Sequence, residues 1–479
     1  MLDSPLIHYS LLSAIGALGL LSGAHALLSK RDPRAQLLWV GTCVMPLVGP
    51  LAYWFLGFNR IKTRARQWQE HGLLDGGHDS EVHHGWASQL HLEHPEVANN
   101  MQLLLQVSKR VTGLPLLGCN KVQMLKNGEE AFPVMMAAIA DAKRYIYVCS
   151  YIFEGDQIGQ EFARILEKAA ARGVDVRVLV DAVGGKFGRD IGRLLRGNKG
   201  IRFERFLPAT LSWRLLRINL RNHRKILVVD GHTGFTGGMN ISDRHMVEST
   251  KATPTRDLHF KLTGPIVHTL EEVFSEDWCF RVGKTSWPQR EPPLTTGAAL
   301  CRGVKDGPNE DFEKLQWILI GALSCARNSV RILTPYFIPS RELLTAMRTA
   351  VLRGARVELI LPQKSNLRYV DWATDSFLQE VVDFGIHVYK QSAPFDHSKI
   401  LVVDEVYVNL GSANLDPRSL LLNFEFNVEV YDRDLASLLS EHHEAIKKRS
   451  ARVQSDALAS MSLPVRLRNA TAKLFSPYL

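Results

Sequence analysis

The sequence is poor in cysteine, and the cysteines that it has do not form a recognisable pattern. Six cysteines occur in 479 residues, at positions 43, 119, 149, 279, 301 and 325, and no two of them are spaced as C-x-x-C. This spacing excludes a zinc ribbon and a C-x-x-C redox pair. We expect six free thiols, which suits a reducing compartment.

The amino terminus lacks the basic segment that precedes the apolar core of a signal peptide. It has instead two apolar stretches, at 5–28 and 36–58, and each is close to the ~20 residues that cross a bilayer. Aromatic residues near the ends of the second stretch are typical of a membrane interface. We therefore predict a membrane hairpin over residues 1–66, with buried core helices as the alternative.

The orientation of this hairpin is not decided by its flanking charges. Basic residues after the second stretch favour a cytoplasmic location for the rest of the chain, namely Arg60, Lys62, Arg64 and Arg66. Basic residues in the turn between the stretches argue against it, namely Lys30, Arg31 and Arg34. We expect the catalytic part to face the cytoplasm. A re-entrant hairpin, which does not fully cross the bilayer, would be compatible with basic residues at both positions.

Acidic residues are outnumbered by basic ones, 49 to 58, which gives a net charge of +9. Such a protein favours an anionic partner, either nucleic acid or an anionic lipid surface. Residues 211–221 mix leucine and arginine at helical spacing and would suit a membrane surface, or an ordinary helix packed on a lobe. The tail at 451–479 is also basic.

The six histidines between residues 67 and 100 indicate a polar connecting segment rather than a metal site.

One pattern occurs twice. Residues 223–240 read HRKILVVDGHTGFTGGMN, and residues 397–414 read HSKILVVDEVYVNLGSAN. Both fit His-x-Lys, four residues, Asp, six residues, Gly-Gly or Gly-Ser, one residue and Asn. Two such matches in one chain indicate a single active site built from two similar halves.

The duplicated residues suit phosphoryl chemistry. The apolar run after each Lys predicts a buried strand, on which His and Lys share a face. One imidazole can attack phosphorus while the other moves protons, and lysine ammonium and asparagine amide groups can hold the phosphate oxygens. The candidate residues are His223, Lys225, Asp230, Gly237, Gly238 and Asn240 in the first copy, and His397, Lys399, Asp404, Gly411, Ser412 and Asn414 in the second. This chemistry requires no metal and no cofactor.

The repeat extends beyond the motifs. Each half reads as a strand, a helix that ends at glycine (Gly173 and Gly354) and another strand, which is a βα alternation. We predict an α/β protein with two similar lobes and flanking helices. The predicted boundaries are a connecting segment at 67–119, the first lobe at 120–285, a Pro/Gly-rich linker at 286–309 and the second lobe at 310–450.

The duplicated motif resembles that of the phospholipase D superfamily. The resemblance implies two α/β lobes whose motifs meet at the seam, with one histidine as a covalent nucleophile and the other as acid and base. It favours His223 as nucleophile and His397 as acid and base, and implies a structural role for Asp230 and Asp404. Asp257 and Glu425 match the acids that orient a histidine in that family, although each could be an ordinary surface carboxylate.

A narrower resemblance covers nearly the whole chain. The apolar amino terminus and the phrases NHRKILVVDG, TPYFIP and GSANLDPRSLLLNFE are similar to those of bacterial cardiolipin synthases. This implies an inner-membrane phosphatidyltransferase that acts on the anionic lipid phosphatidylglycerol and not on nucleic acid. The alternative is another phosphodiesterase of the superfamily, a phospholipase D or a nuclease. Oligomeric state and the use of phosphatidylethanolamine as donor are left open.

Overall fold

The computed structural model describes residues 5–29, 33–54, 95–184, 189–207, 220–249, 254–308, 311 and 313–475. The amino-terminal helices form one compact unit, and the described residues from 95 onward form another. The six histidines of the 67–100 segment, the basic residues between 60 and 66 and the basic stretch 211–219 lie outside the described residues.

The described residues form helices and strands that alternate along most of the chain. The helices are α1 (Pro5–Ser29), α2 (Pro33–Cys43), α3 (Val48–Ala52), α4 (Pro95–Thr112), α5 (Asn127–Asp141), α6 (Gln157–Ala171), α7 (Gly192–Arg196), α8 (Ile266–Val282), α9 (Lys314–Cys325), α10 (Arg341–Leu352), α11 (Arg368–Asp383), α12 (Pro417–Leu421), α13 (Arg433–Lys447), α14 (Ser455–Ala459) and α15 (Leu463–Leu474). The strands are β1 (Leu117–Lys126), β2 (Tyr145–Ser150), β3 (Asp175–Asp181), β4 (Ile201–Phe206), β5 (Ile226–Val229), β6 (Thr233–Gly237), β7 (Thr255–Arg256), β8 (Leu258–Thr263), β9 (Ala299–Asp306), β10 (Ser329–Leu333), β11 (Arg356–Pro362), β12 (His387–Gln391), β13 (Phe395–Asp396), β14 (Ile400–Val403), β15 (Tyr407–Gly411), β16 (Glu425–Tyr431) and β17 (Ser450–Arg452).

Both halves contribute the same arrangement of strands to one sheet. In the first half β2, β3 and β4 are parallel, and the motif strand β5 pairs antiparallel with β2. In the second half β10, β11 and β12 are parallel, and the motif strand β14 pairs antiparallel with β10. The predicted α/β fold with two similar lobes is confirmed.

Local sequence explains the repeated βα units. Asp156 caps α6 by accepting from the Gly159 amide at 2.9 Å, and Ser340 caps α10 by accepting from the Leu343 amide at 3.2 Å. Both helices end before a glycine with positive φ, 89° at Gly173 and 93° at Gly354, as the sequence predicted.

The two halves are joined edge to edge. Strand β1 pairs antiparallel with β8 of the first half and with β9, and β9 pairs antiparallel with β16 of the second half. The described part of the chain thus forms one 15-stranded sheet, with a separate apolar core under each half. The predicted linker at 286–309 therefore contains the strand Ala299–Asp306, whose side chains are almost all buried.

The amino-terminal unit differs from the predicted pair of spans. Within the described ranges one helix is long and apolar enough to cross a bilayer, with a candidate span at Tyr9–Leu28. The second stretch, predicted at 36–58, is broken into α2 and α3, of 11 and 5 residues, both shorter than the ~20 that a span requires. Pro46 lies in the break between the two helices and Pro50 lies within α3, and neither can donate a backbone hydrogen bond.

The second stretch nevertheless packs against α1. Tyr53 Oη lies 2.6 Å from His25 Nδ1, and Trp54 Nε1 donates to Ser22 Oγ at 2.9 Å. Such side-chain hydrogen bonds are a common means of holding apolar helices together in a membrane. The amino-terminal unit is therefore a hairpin with one continuous leg and one broken leg.

Candidate active site

Each motif histidine comes from one half of the molecule and is fixed by the other half. The His223 amide donates to the Phe424 carbonyl at 2.9 Å, and the His397 amide donates to the Arg256 carbonyl at 2.8 Å. Strands β13 and β7, which precede His397 and Asp257, pair in parallel. These contacts place each motif histidine beside the segment of the opposite half that carries an acid.

The two imidazoles face each other across one small space. Their ring centroids are 6.5 Å apart, and the ring planes are 82° apart. Both side chains are largely buried, at the seam where the halves meet. A tetrahedral phosphate group placed between the rings would be within reach of both.

Each motif histidine is held by a carboxylate of the other half. His223 Nδ1 lies 3.0 Å from the carboxylate of Glu425, and His397 Nδ1 lies 3.0 Å from that of Asp257. A carboxylate on Nδ1 fixes the ring and leaves Nε2 for the reaction. The sequence indicated these two acids, but it did not indicate that each one serves the histidine of the other half.

Burial keeps both imidazoles in the neutral form at pH 7. It lowers the pKa of His223 to about 4, against the opposing charge of Glu425 and with the help of Lys225. Burial, followed by the charges of Lys399 and Lys225, holds the pKa of His397 well below its usual value of 6.5. A neutral imidazole has the free lone pair that a nucleophile or a base needs.

The motif lysines are buried next to the histidines. The Lys225 ammonium donates to the His223 carbonyl at 2.5 Å, and the Lys399 ammonium donates to the His397 carbonyl. Burial lowers the pKa of Lys225 to about 7 and that of Lys399 to about 8. A phosphodiester anion in the site would favour the charged form of both.

The asparagines that close the motifs make different hydrogen bonds in the two halves. Asn240 Oδ1 accepts from the Ile152 amide at 3.1 Å, which fixes the side chain and leaves its amide nitrogen as a donor. Asn414 Nδ2 donates to Ser419 Oγ at 3.1 Å. Asn414 Oδ1 is buried and has no hydrogen-bond partner among the described residues.

The glycines of the motifs are packed too closely against their neighbours to carry a side chain. Gly237 and Gly411 have φ values of 148° and 156°, in the range that favours glycine. A Cβ on Gly238 would come within 2.2 Å of Asp257 Oδ1. Ser412 occupies the equivalent position in the other half, where its hydroxyl donates to Glu425 at 2.5 Å.

The motif aspartates lie at the far end of the motif strands, away from the imidazoles. The Asp230 carboxylate accepts from the amides of residues 143, 144 and 145 at 2.8 to 2.9 Å. The Asp404 carboxylate accepts from the amides of residues 327, 328 and 329 at 2.7 to 2.8 Å. Each one anchors the turn after its motif strand to the start of the neighbouring strand.

Three aromatic residues around the histidines were not among the predicted site residues. Tyr151 lies 5.0 Å from the ring of His223, and Tyr336 and Phe395 lie 6.2 Å and 5.8 Å from that of His397, as centroid distances. Tyr151 and Tyr336 come shortly after strands β2 and β10. Their position at the same end of neighbouring strands as the motif histidines is the signal that would have identified them.

One group outside the site has the composition of a metal centre. Among the described residues, ligand atoms of Glu358, His443 and Glu444 lie within 4.8 Å of one another. The Lys447 ammonium donates to both carboxylates, at 3.0 Å and 2.5 Å, so a cation of the protein already contacts both of them.

Comparison with known proteins places the chain in a family. The family described as "Cardiolipin synthase, PLD-like domain" matches residues 135–278 and 319–447, one segment in each half. The chain belongs to this family. The resemblance seen in the sequence is confirmed.

Relatives in the cardiolipin synthase family match the chain along nearly its full length. Cardiolipin synthase A of Pseudomonas aeruginosa is 33% identical over 476 residues, which cover 98% of this chain and 96% of the relative. Cardiolipin synthase of Geobacillus sp. is 31% identical over 461 residues, which cover 94% and 90%. The crystal structure of phosphatidylserine synthase from Haemophilus influenzae shares the fold, with a TM-score of 0.62 at 17% identity over 78% of this chain and all of that chain.

Proposed function

We propose that this protein is a phosphatidyltransferase that makes cardiolipin from two molecules of phosphatidylglycerol and releases glycerol. The observation that carries the proposal is the pair of imidazoles, 6.5 Å apart, each held by a carboxylate of the opposite half. Membership of the cardiolipin synthase family supports the choice of lipid substrates.

In the first step, His223 Nε2 attacks the phosphorus of one phosphatidylglycerol. The bond from phosphorus to the glycerol oxygen breaks, and His397, protonated when the phosphodiester is bound, gives its proton to that oxygen. Asp257 stabilises the imidazolium form of His397, and the negative phosphate offsets the lysine charges that disfavour it in the empty site. The product is a phosphatidyl group on His223 together with free glycerol.

In the second step, the terminal hydroxyl of another phosphatidylglycerol enters. Neutral His397 takes its proton, the oxygen attacks phosphorus, and the bond to His223 breaks, which restores both residues. One phosphodiester replaces another, so the reaction needs no nucleotide. Lys225, Lys399, Asn240 and Asn414 would hold the phosphate oxygens as charge develops during both steps.

The proposal includes a location. The apolar helix α1 would anchor the protein in the bacterial inner membrane, with the broken second leg completing a multi-pass or re-entrant hairpin. The catalytic halves would face the cytoplasm. Anchoring keeps the site among lipid hydroxyls, which favours a lipid acceptor over water by raising its effective concentration.

The test is to reconstitute the full chain in bilayers that contain phosphatidylglycerol labelled in its terminal glycerol, with no nucleotide. We expect one labelled glycerol released for each cardiolipin formed. Phosphatidic acid as the main lipid product would identify a phospholipase D instead. Hydrolysis of an added DNA or RNA without any lipid turnover would identify a nuclease.

A further inference from the structure

The carboxy-terminal helix α15 carries an apolar stripe that faces away from the protein. Leu463, Leu467, Leu474 and the adjoining Phe475 are 59% to 74% exposed. The leucines at 463, 467 and 474 recur at the spacing of one helical face. Large apolar side chains grouped on one exposed face indicate a contact surface.

The opposite face of α15 is firmly packed, so the exposed stripe belongs to a well-anchored helix. Asn469 and Ala472 are buried. The Arg468 guanidinium lies 4.8 Å from the ring centroid of Trp372, and the Lys473 ammonium lies 3.8 Å from that of Phe377. Both aromatic residues belong to α11, so α15 lies along α11 with its outer face uncovered by the described residues.

The charged residues of α15 itself are all basic. Residues 463–475 contain Arg466, Arg468 and Lys473 and no acidic residue. Ala472, near the carboxy end of α15, shares an apolar cluster with Val370, near the amino end of α11. There α11 adds the exposed residues Arg368 and Tyr369, preceded by Lys364. Basic residues beside leucine and aromatic side chains match the headgroup region of an anionic bilayer.

The same helix is linked to the active site by a small apolar cluster. Ala472 packs in this cluster with Tyr336 and Val370, and Phe395 packs against it. Tyr336 and Phe395 are the residues whose rings lie 6.2 Å and 5.8 Å from that of His397. One layer of side chains therefore separates the inner face of α15 from the reacting groups.

We propose that α15 lies in the plane of an anionic lipid surface, with Leu463, Leu467, Leu474 and Phe475 among the acyl chains and the basic residues at the headgroups. Docked in this way, the helix holds the His397 side of the site at the depth of the lipid phosphates. The contact surface is inferred from the residues of α15 itself. Only the expected effect on turnover rests on the proposed function.

The first test uses the full chain in bilayers, with an environment-sensitive fluorophore on Leu467→Cys. We expect a blue-shifted emission that is quenched by headgroup-proximal quenchers in bilayers containing phosphatidylglycerol, and a weaker effect in phosphatidylcholine alone. Leu352→Cys is the matched control, because Leu352 is 76% exposed and is the one exposed large apolar side chain in the described helix α10. Its label should stay in water, and wild-type protein treated with the same reagent is the blank.

Three outcomes of that test would overturn the proposal. The label at position 467 could remain water-exposed in both bilayers. It could be shielded from water without any effect of the headgroup-proximal quenchers, which would mean that another segment of this chain covers the stripe. It could be shielded in proportion to protein concentration, which would mean that a second copy is the partner.

The second test links the surface to turnover. Leu467→Asp combined with Leu474→Asp should lower cardiolipin formation in phosphatidylglycerol bilayers by about tenfold or more, because acyl-chain burial of two leucines is lost. Turnover of a short-chain phosphatidylglycerol dispersed in detergent should stay near wild type, and Leu352→Asp should change neither. Equal losses on both substrates would contradict the proposal. If wild-type protein makes no cardiolipin, the proposed function fails. The fluorescence result still tests whether α15 lies on the lipid surface.

Discussion

At the scale of single residues, the two motif histidines have related but different surroundings. The glutamate that holds His223 also accepts from the hydroxyl of Ser412, at 2.5 Å. The aspartate that holds His397 lies directly against Gly238, with no room for a side chain. Asp257 is the shorter acid and lies against glycine, whereas Glu425 is the longer acid and lies against serine. Each of them fixes an imidazole through Nδ1.

This difference predicts unequal effects of two small substitutions. Gly238→Ala would place a methyl group 2.2 Å from Asp257 Oδ1, so the carboxylate and His397 must shift. We expect a loss of about 100-fold in kcat, the cost of a small misplacement of reacting groups. Ser412→Ala removes one hydrogen bond to Glu425 without a clash and should cost about tenfold or less.

Both variants should be assayed in the same phosphatidylglycerol bilayers, with thermal unfolding measured in parallel to show that the fold is kept. Wild-type turnover by Gly238→Ala would mean that the contact with Asp257 does not position His397.

The lysines predict the pH dependence. Since the pKa of Lys225 is lowered to about 7 and that of Lys399 to about 8, both lose charge in the free enzyme as pH rises through this window. A bound phosphodiester favours the protonated lysines and raises their pKa values. We therefore expect the decline of kcat/KM, which begins with the proton that His397 must take up on binding, to become steeper above pH 7 to 8 as the lysines lose charge. The lysine-dependent decline of kcat should lie at higher pH. Parallel declines of kcat and kcat/KM would argue against lysines that bind the phosphate.

At the scale of elements, the motif aspartates act on turns. Asp230 and Asp404 both have a φ of 53°, and each carboxylate accepts from three consecutive backbone amides at the start of a neighbouring strand. These hydrogen bonds hold the far end of the motif strand in register with its neighbour. The histidine at the near end of the strand is positioned in consequence.

Asp404→Ala should therefore destabilise the protein without touching the imidazoles. We expect a loss of about 2–4 kcal/mol in the free energy of unfolding, since three charge-assisted hydrogen bonds are removed together. Glu405→Ala is a matched control, because Glu405 has a similar φ of 55° and makes an exposed ion pair with Arg331. That change should cost about 1 kcal/mol. Equal losses in the two variants would assign the effect to backbone strain.

The element scale also shows what the sequence could and could not predict. The doubled motif and the helix-ending glycines at 173 and 354 predicted two βα halves, because both signals are local. The break in the second apolar stretch also has a local signal, because Pro46 lies in it. The prediction of a span used apolar content alone, and apolar content does not register a proline. Strand β9 was assigned to the linker because a proline-rich segment precedes it.

The pairing of each histidine with a carboxylate of the other half could not be predicted from the sequence. Asp257 comes after the first motif and Glu425 after the second, so pairing within each half is equally compatible with the order of residues. The pairing across the halves arises from long-range backbone contacts, Asn222 with Phe424 and β13 with β7. Such contacts are set by how the two halves meet, which no local pattern encodes.

At the scale of the whole molecule, the described residues from the two halves share one continuous sheet, joined through β1 and β9. The active site lies where loops from both halves interleave. Neither half holds a complete histidine–carboxylate pair, so the catalytic groups exist only in the joined molecule. The central claim is that the two histidines serve one phosphate and act as a unit.

The most direct test measures cardiolipin formation by His223→Ala and by His397→Ala, each as the full chain in phosphatidylglycerol bilayers. If the histidines share one phosphate, each variant should lose about 1000-fold or more, and the double variant should be little worse than either single one. Two independent sites would instead leave about half of the wild-type rate in each single variant, and that result would contradict the account.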